Sequence, residues 1–382
     1  MRAMSENEQR ILALIATGGP LSKRDLSGRG AMAWATVVKY VNRLETEGIL
    51  ERVGTAQRDR HLGKNSYIYD LAYGAPQFIG IDIEYRTTRV AVVDLRRRIR
   101  WQTAFPTPEP TCMEALVQFL KAVIREGTPG IETVTGVGIG MPRWLIGGES
   151  DPFTGLGKRL TAELGLQVTV ENNIRAYTLY KEPLLQESSF MVVSVRNGIG
   201  AGIVFGGKLH RGETGLAGEI GHITVQDKGV LCRCGKRGCL ETVVNQRILS
   251  EEFAVHGAVG AAGVPVSEFS ASKECLSELF AAAADSDPAA ISILEKASEP
   301  LGRALATLIL VLDIQSIYVV GRFGEHGSVW LDPLRDVIRR FVDPELTFSL
   351  HYRELDEEGY LLGAASLVAR DYLDYSVLGV TR

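Results

Sequence analysis

Cysteine is scarce in this chain of 382 residues: there are five, and three of them fall within positions 232–239. An odd, unevenly spaced set builds no disulfide framework, so a reducing cytoplasm is the expected setting. Long apolar runs are missing as well. With no stretch of about 18 apolar residues, no membrane span is expected, and the opening MRAMSENEQR lacks the apolar segment of a secretion signal. Charge of one sign does not dominate either, since the net charge is only −4. Its distribution is uneven: residues 1–70 carry eleven Lys/Arg against eight Asp/Glu, leaving 31 against 38 for the rest. A mildly basic head on an acidic body is compatible with a DNA-binding domain joined to something else. What is present is ordinary: 45% hydrophobic and 23% charged residues describe a globular protein with a sizeable core. The length suggests two or three domains.

The head has a readable order. NEQRILALIA places Ile11, Leu14 and Ile15 on one helical face. TGGPLS breaks that helix, and Ser22 with Asp25 can cap a short second one, KRDLSG. A third helix carries Val37, Val41 and Leu44 at i, i+4 and i+7 and stops at Gly48. Alternation then takes over in ILERVG and SYIYDL, joined by the basic loop TAQRDRHLGKN. Three short helices and a basic hairpin describe a winged helix-turn-helix, although such modules also dock proteins. In the DNA-binding reading the third helix enters the major groove, with Trp34, Ala35, Lys39 and Arg43 as its candidate outward face. Arg58, Arg60, His61 and Lys64 of the wing would meet phosphates or the minor groove.

After AYGAPQ, strand-like runs alternate with helical stretches, so the body is α/β. GIDIEYRTTRVAVVDL, VGIGMP, VENN, GIGAGIVFGGKLHRGETGLAGEIGHITV, CRCGKRGCLET and the closing GYLLGAASLVA follow in order the motifs of the ROK family (repressor, open reading frame, kinase). The resemblance covers nearly the whole chain, and with the winged head it points to the repressor branch. It implies an N-terminal winged helix-turn-helix followed by a two-lobed actin-like, sugar-kinase (ribonuclease H-like) body. The expected divisions are a DNA-binding domain over 1–71, a linker over 72–77 and a first lobe over 78–185. A C-terminal helix at about 360–382 would complete that lobe, and 186–359 would form a second lobe with the zinc loop.

His222, Cys232, Cys234 and Cys239 offer one imidazole and three thiolates, a tetrahedral set suited to Zn2+. Four protein ligands leave no open position for water, so the metal is expected to be structural. Cys112 and Cys275 fall in helical stretches and read as ordinary. The resemblance implies that Asn172, Asn173, Glu219, His222 and Glu241 contact sugar hydroxyls, with His222 using one ring nitrogen for zinc and the other for the ligand. Amides and carboxylates suit vicinal diols because they mix donors with paired acceptors.

Kinase chemistry is expected to be absent. ROK kinases carry an Asp where this chain has Asn173, and an amide cannot take the hydroxyl proton. The first phosphate loop, usually IGGT, reads Ile83-Glu84-Tyr85-Arg86; the second, usually Gly-Thr-Gly, reads Arg196-Asn197-Gly198. The adenosine-side glycines have become Gly321-Arg322-Phe323-Gly324, and Arg143 stands after Pro142 where Gly is usual. No ATP cofactor is therefore expected. The expectation is a sugar- or sugar-phosphate-responsive regulator of a double-stranded DNA operator, a repressor, cytoplasmic, and a homodimer or larger because paired half-sites need two-fold symmetry. Effector binding between the body's halves would favour one closure and change the spacing of the heads. The alternatives are a sugar kinase with an appended DNA-binding domain, and a repressor controlled by a protein partner.

Overall fold

In the computed structural model, the described residues are 3–56, 66–84, 86–108, 112–145, 152–185, 187–258 and 273–373. They form two compact units: Met1–Gln186 with Glu358–Arg382, and Glu187–Glu357.

The head opens the first unit. Helix α1 (Glu6–Gly18) begins with a capping box in which Ser5 and Glu8 exchange hydrogen bonds, and it buries Ile11, Leu12, Leu14 and Ile15. A two-residue strand β1 (Leu21–Ser22) leads into α2 (Lys23–Arg29), where Ser22 and Asp25 form the second capping box. Asp25 therefore has its pKa lowered, chiefly by the Ser22 hydroxyl. Helix α3 (Trp34–Thr46) turns Val37, Val41 and Leu44 into the core, and Gly48 follows it at φ +70°. Strands β2 (Leu50–Ala56) and β3 (Ser66–Leu71) pair antiparallel as the wing, and β1 joins β3 on the other side.

The first lobe follows with β4 (Gln77–Ile83), β5 (Thr87–Asp94), β6 (Ile99–Pro106), α4 (Met113–Arg125), β7 (Val134–Met141), α5 (Pro152–Leu164), β8 (Gln167–Asn172) and α6 (Asn173–Leu185). Its sheet runs β6-β5-β4-β7-β8, with β4, β5 and β6 antiparallel and β7 and β8 added in parallel.

The second unit contains β9 (Phe190–Val195), β10 (Ile199–Phe205), β11 (Lys208–His210), α7 (Gln246–Ala258), α8 (Lys273–Ala284), α9 (Pro288–Leu312), β12 (Ser316–Gly321), α10 (Leu331–Arg339) and β13 (Ser349–Glu354). Its sheet, β11-β10-β9-β12-β13, repeats the first in order and direction. An α/β order used twice, three antiparallel strands and then two parallel ones, is the plan expected of an actin-like body.

Helix α11 (Glu357–Ala369) returns the chain to the first unit. It lies so close to the sheet that a Cβ on Gly138 would stand 1.7 Å from the Ala364 carbonyl, and one on Gly80 would stand 2.1 Å from that of Leu361. Only glycine admits that approach. From there Leu361, Ala365, Val368 and Tyr372 join Phe78 and Val93 of the sheet to the head residues Ile11, Leu14 and Tyr69 in one apolar cluster. The stretch 72–77 is thus no free linker. Ala75 and Pro76 are buried, Ala75 lies in that shared cluster, and Gln77 already begins β4. Among the described residues no helix is long and apolar enough to cross a membrane.

Candidate functional site

The GEIGH segment is moulded onto β10. Gly218 adopts φ +85°, and a Cβ there would lie 1.9 Å from the Ala201 carbonyl; one on Gly221 would lie 2.2 Å from that of Ile199. A short 3-10 turn, Ile220–His222, then presents the imidazole. The cysteine loop closes back on it through an antiparallel bridge between Thr224 and Cys239. Within the loop, the Cys232 amide donates to Lys236 O (2.7 Å) and the Gly235 amide to Cys232 O (2.9 Å). Gly235 (φ +87°) and Gly238 (φ +67°) supply the left-handed turns this needs.

The outcome is that one ligand atom from each of His222, Cys232, Cys234 and Cys239 lies within 4.8 Å of every other. His222 Nδ1 stands 3.6 Å from Cys232 Sγ, and Cys234 Sγ stands 3.6 Å from Cys239 Sγ. One imidazole and three sulfurs converging from two loops suit a metal of zinc's type. The remaining cysteines are separate from this group: Cys112 is exposed and precedes α4 rather than lying in it, and Cys275 is buried in α8.

Glu241, in the 3-10 turn that follows Cys239, is brought against the quartet. Its Oε1 accepts from the Cys232 thiol at 3.1 Å and lies 3.7 Å from His222 Nδ1 and 3.3 Å from Arg233 Nε. Burial, with a further contribution from Glu241, pushes the Cys232 thiol well above its usual range. The other imidazole nitrogen, Nε2, lies 3.8 Å from Glu219. The second unit therefore gathers Glu219, His222 and Glu241 around one imidazole. Asn172 and Asn173 belong to the first unit, where β8 meets α6, and both side-chain carbonyls accept from the Ile174 amide, at 3.0 and 2.9 Å. There Asn172 is nearly buried, beside the buried Glu171–Arg175 ion pair.

The loops that would handle a nucleotide in a kinase are occupied by the chain's own side chains. In the first, Arg89 donates to Asp82 (2.8 Å) and to Glu84 (2.7 Å), a triad drawn from β4, its following residue and β5 in which Asp82 is fully buried and the other two partly so. Near β12, the backbone amides of Phe323 and Gly324 donate to Glu354 Oε2 at 3.1 and 2.9 Å, and the Tyr352 hydroxyl donates to the same carboxylate. Phe323 itself is fully buried, stacked 4.5 Å from Phe280 and 5.7 Å from Tyr352 between ring centroids. Gly198 hugs Glu241, whose Oε2 would stand 2.9 Å from a Cβ there. Sequence reasoning singled out Phe323 as a departure but not Glu354, which lies some 30 residues away along the chain.

On the head, Trp34 is 57% exposed, and Ala35 and Lys39 are also exposed on the same helix. Arg43 is exposed but engaged, 3.2 Å from Glu47 and 3.8 Å from the buried Glu8. Asn42, not singled out from the sequence, is exposed between them and accepts from Lys23. Arg58, Arg60, His61 and Lys64 lie outside the described residues. On the wing strands, the exposed Arg52 sits 4.3 Å over the ring of Tyr67.

Comparison with known proteins agrees with this arrangement. The N-acetylglucosamine repressor of Escherichia coli O6:H1 is 25% identical, over 96% of this chain and 93% of its own length. A glucokinase of Thermotoga maritima is 28% identical, over 76% of this chain and 97% of its own. A crystal structure of a ROK family transcriptional regulator, a homolog of the E. coli MLC protein, superimposes with a TM-score of 0.72 at 23% identity, covering 98% of this chain and 97% of that one. The ROK family pattern itself matches residues 78–371. With the repeated sheets and the GEIGH–CxCGxxGCLE site in place, this chain belongs to the ROK family.

Proposed function

We propose that the protein is a DNA-binding transcriptional regulator, a repressor, that answers to a sugar or sugar phosphate and does not phosphorylate it. What carries this reading is the exposed α3 face of Trp34, Ala35 and Lys39 over a buried Val37, Val41 and Leu44, set on a body of the family. A repressor relative spans nearly all of this chain, head included, whereas the glucokinase relative spans 76% of it.

Three observations support the absence of phosphotransfer. Asn173 offers no base for a hydroxyl proton. Backbone amides that could cradle an anion already hold Glu354. Glu84 of the first phosphate loop is already paired with Arg89, which also holds Asp82. The glucokinase relative keeps the kinase alternative specific, and ADP release from ATP with a panel of hexoses decides it.

In this reading Glu219, His222, Glu241, Asn172 and Asn173 meet sugar hydroxyls. Zinc held by His222, Cys232, Cys234 and Cys239 would tie the GEIGH segment to the cysteine loop and so fix the imidazole and Glu241. A homodimer would place two heads on a two-fold operator. The test is anisotropy of a labelled DNA fragment from upstream of the gene, titrated at fixed salt with and without a panel of sugars. Saturable binding reversed by one sugar is expected. Specific binding indifferent to every sugar would point to a protein partner instead, and binding no tighter than to random DNA would sink the regulator reading.

A further inference from the structure

Two adjacent arginines at the turn between β5 and β6 reach in different directions. Arg96 donates through Nη1 to the carbonyls of Ile15 (3.1 Å) and Ala16 (3.2 Å), in the last turn of α1, and pairs through Nη2 with Asp70 of β3. It therefore grips the end of the first head helix and a strand of the wing at once, satisfying the Ala16 carbonyl that the helix end leaves over and adding a second donor to Ile15 O, which already accepts from the Gly19 amide. Arg97 donates through Nη2 to the Tyr180 carbonyl of α6 (2.7 Å), with its guanidinium 4.4 Å from the centre of that residue's ring. Tyr180 lies two helical turns, roughly 10 Å, along α6 from Asn173.

The turn that carries both is stiff. Asp94 O accepts from the Arg97 amide (2.9 Å), Asp94 Oδ1 from the Arg98 amide (2.9 Å), and the Asp94 amide donates to Arg98 O (3.1 Å). Leu95 is buried in the cluster shared by head and lobe. Arg97 holds φ +62°, a left-handed conformation that a non-glycine residue keeps only where its surroundings impose it.

We infer that Arg96 and Arg97 are positioning residues that couple α6, and with it the proposed sugar contacts Asn172 and Asn173, to the DNA-binding head. The functional sense of this rests on the sugar-responsive reading above; the mechanical link does not. One peptide separates the two grips, and each is a planar fork with fixed hydrogen-bond directions. A shift of α6 is therefore passed to α1 and β3 rather than taken up in the turn. Helix α11 also touches head and sheet, but through apolar packing, which lacks the fixed hydrogen-bond directions of the two guanidinium forks.

The test uses the full-length, zinc-loaded protein and two variants. Arg97→Gly removes the fork while suiting the left-handed backbone, so folding is retained; Arg97→Lys keeps a cation at the ring. Hydrogen exchange without DNA or sugar is read first. Exchange in the last turn of α1 and in β3 is expected to speed up on the order of tenfold in Arg97→Gly, with amides of the second unit unchanged and Arg97→Lys intermediate. Next comes the ratio of DNA affinities with and without saturating D-glucose or N-acetyl-D-glucosamine. Where the wild type responds, by a factor of roughly 5–150, the ratio in Arg97→Gly is expected to fall towards 1 while sugar affinity holds. Unchanged head exchange overturns the link whatever sugars do, and changed exchange with an unchanged ratio overturns its coupling role. If the wild type ignores both sugars yet the head loosens, the link stands and the choice of effector has failed instead.

Discussion

At the scale of single residues, the departures from a kinase are filled places rather than gaps. Glu354 accepts from two backbone amides and from the Tyr352 hydroxyl. Burial, and then the Glu354 carboxylate, hold the Tyr352 phenol far above its usual range, so that hydroxyl stays a donor. Phe323 is wedged among Phe280, Trp330 and Tyr352. Truncating it leaves a cavity that three rings cannot collapse into, so Phe323→Ala is expected to cost about 3–5 kcal/mol, measured by denaturant unfolding. A cost under about 1 kcal/mol would mean the loop is an open pocket after all. The same residues govern what restoring a base can achieve. Asn173→Asp returns a carboxylate to the start of α6, yet Glu354 and the Asp82–Arg89–Glu84 triad still hold the phosphate loops. ADP release from ATP and glucose by this variant is therefore expected to remain at background in a coupled assay. Turnover above background would show that the loops open readily.

At the scale of elements, α3 carries the contrast between a buried and an exposed face. Lys39 is exposed there, whereas Arg43 is already shared between Glu47 and Glu8. Among the described residues Lys39 makes no ion pair and lies only over the Tyr40 ring, 5.2 Å from its centre. Lys39→Ala is expected to weaken binding to all DNA sequences alike and to lower the slope of log affinity against log salt by about 1. Loss confined to one sequence would instead make Lys39 a base reader. This helix was legible in the sequence because its period and its terminal glycine agree, and the His/Cys cluster was legible because three closely spaced cysteines and a GEIGH histidine leave few other readings. The elements that were not legible depend on distant partners. AYGAPQ reads as a linker from its Gly and Pro, and nothing local says that Ala75 is buried with α11, nearly 300 residues later. Glu354 reads as one more charge at the end of a strand until β13 pairs with β12 and brings it to the amides of Phe323 and Gly324.

At the scale of the molecule, the division into units sets what removing the proposed metal would do. The head and first lobe share one apolar cluster, so the head has no separate core to melt around. The His/Cys quartet belongs wholly to the second unit, whose own cluster runs from Met191 through Leu240 and Val244 to Leu350. Leu240 and Val244 are fully buried there and lie just after Cys239, so the cysteine loop is anchored in that core. A ligand present at about 1,000 times its dissociation constant stabilises the fold by roughly 4 kcal/mol. For a unit of this size that corresponds to a fall of roughly 8–16 °C in melting temperature on its removal. Chelation is therefore expected to lower the transition of the second unit, and to speed exchange in β9, β10 and β12, while amides of α1, α3 and β4 keep their protection. Calorimetry with and without chelator, joined to hydrogen exchange, reads both effects. An unchanged second unit would strip the quartet of its structural role. Equal loosening of α1 and α3 would show instead that the metal's stabilising effect extends to the DNA-binding head.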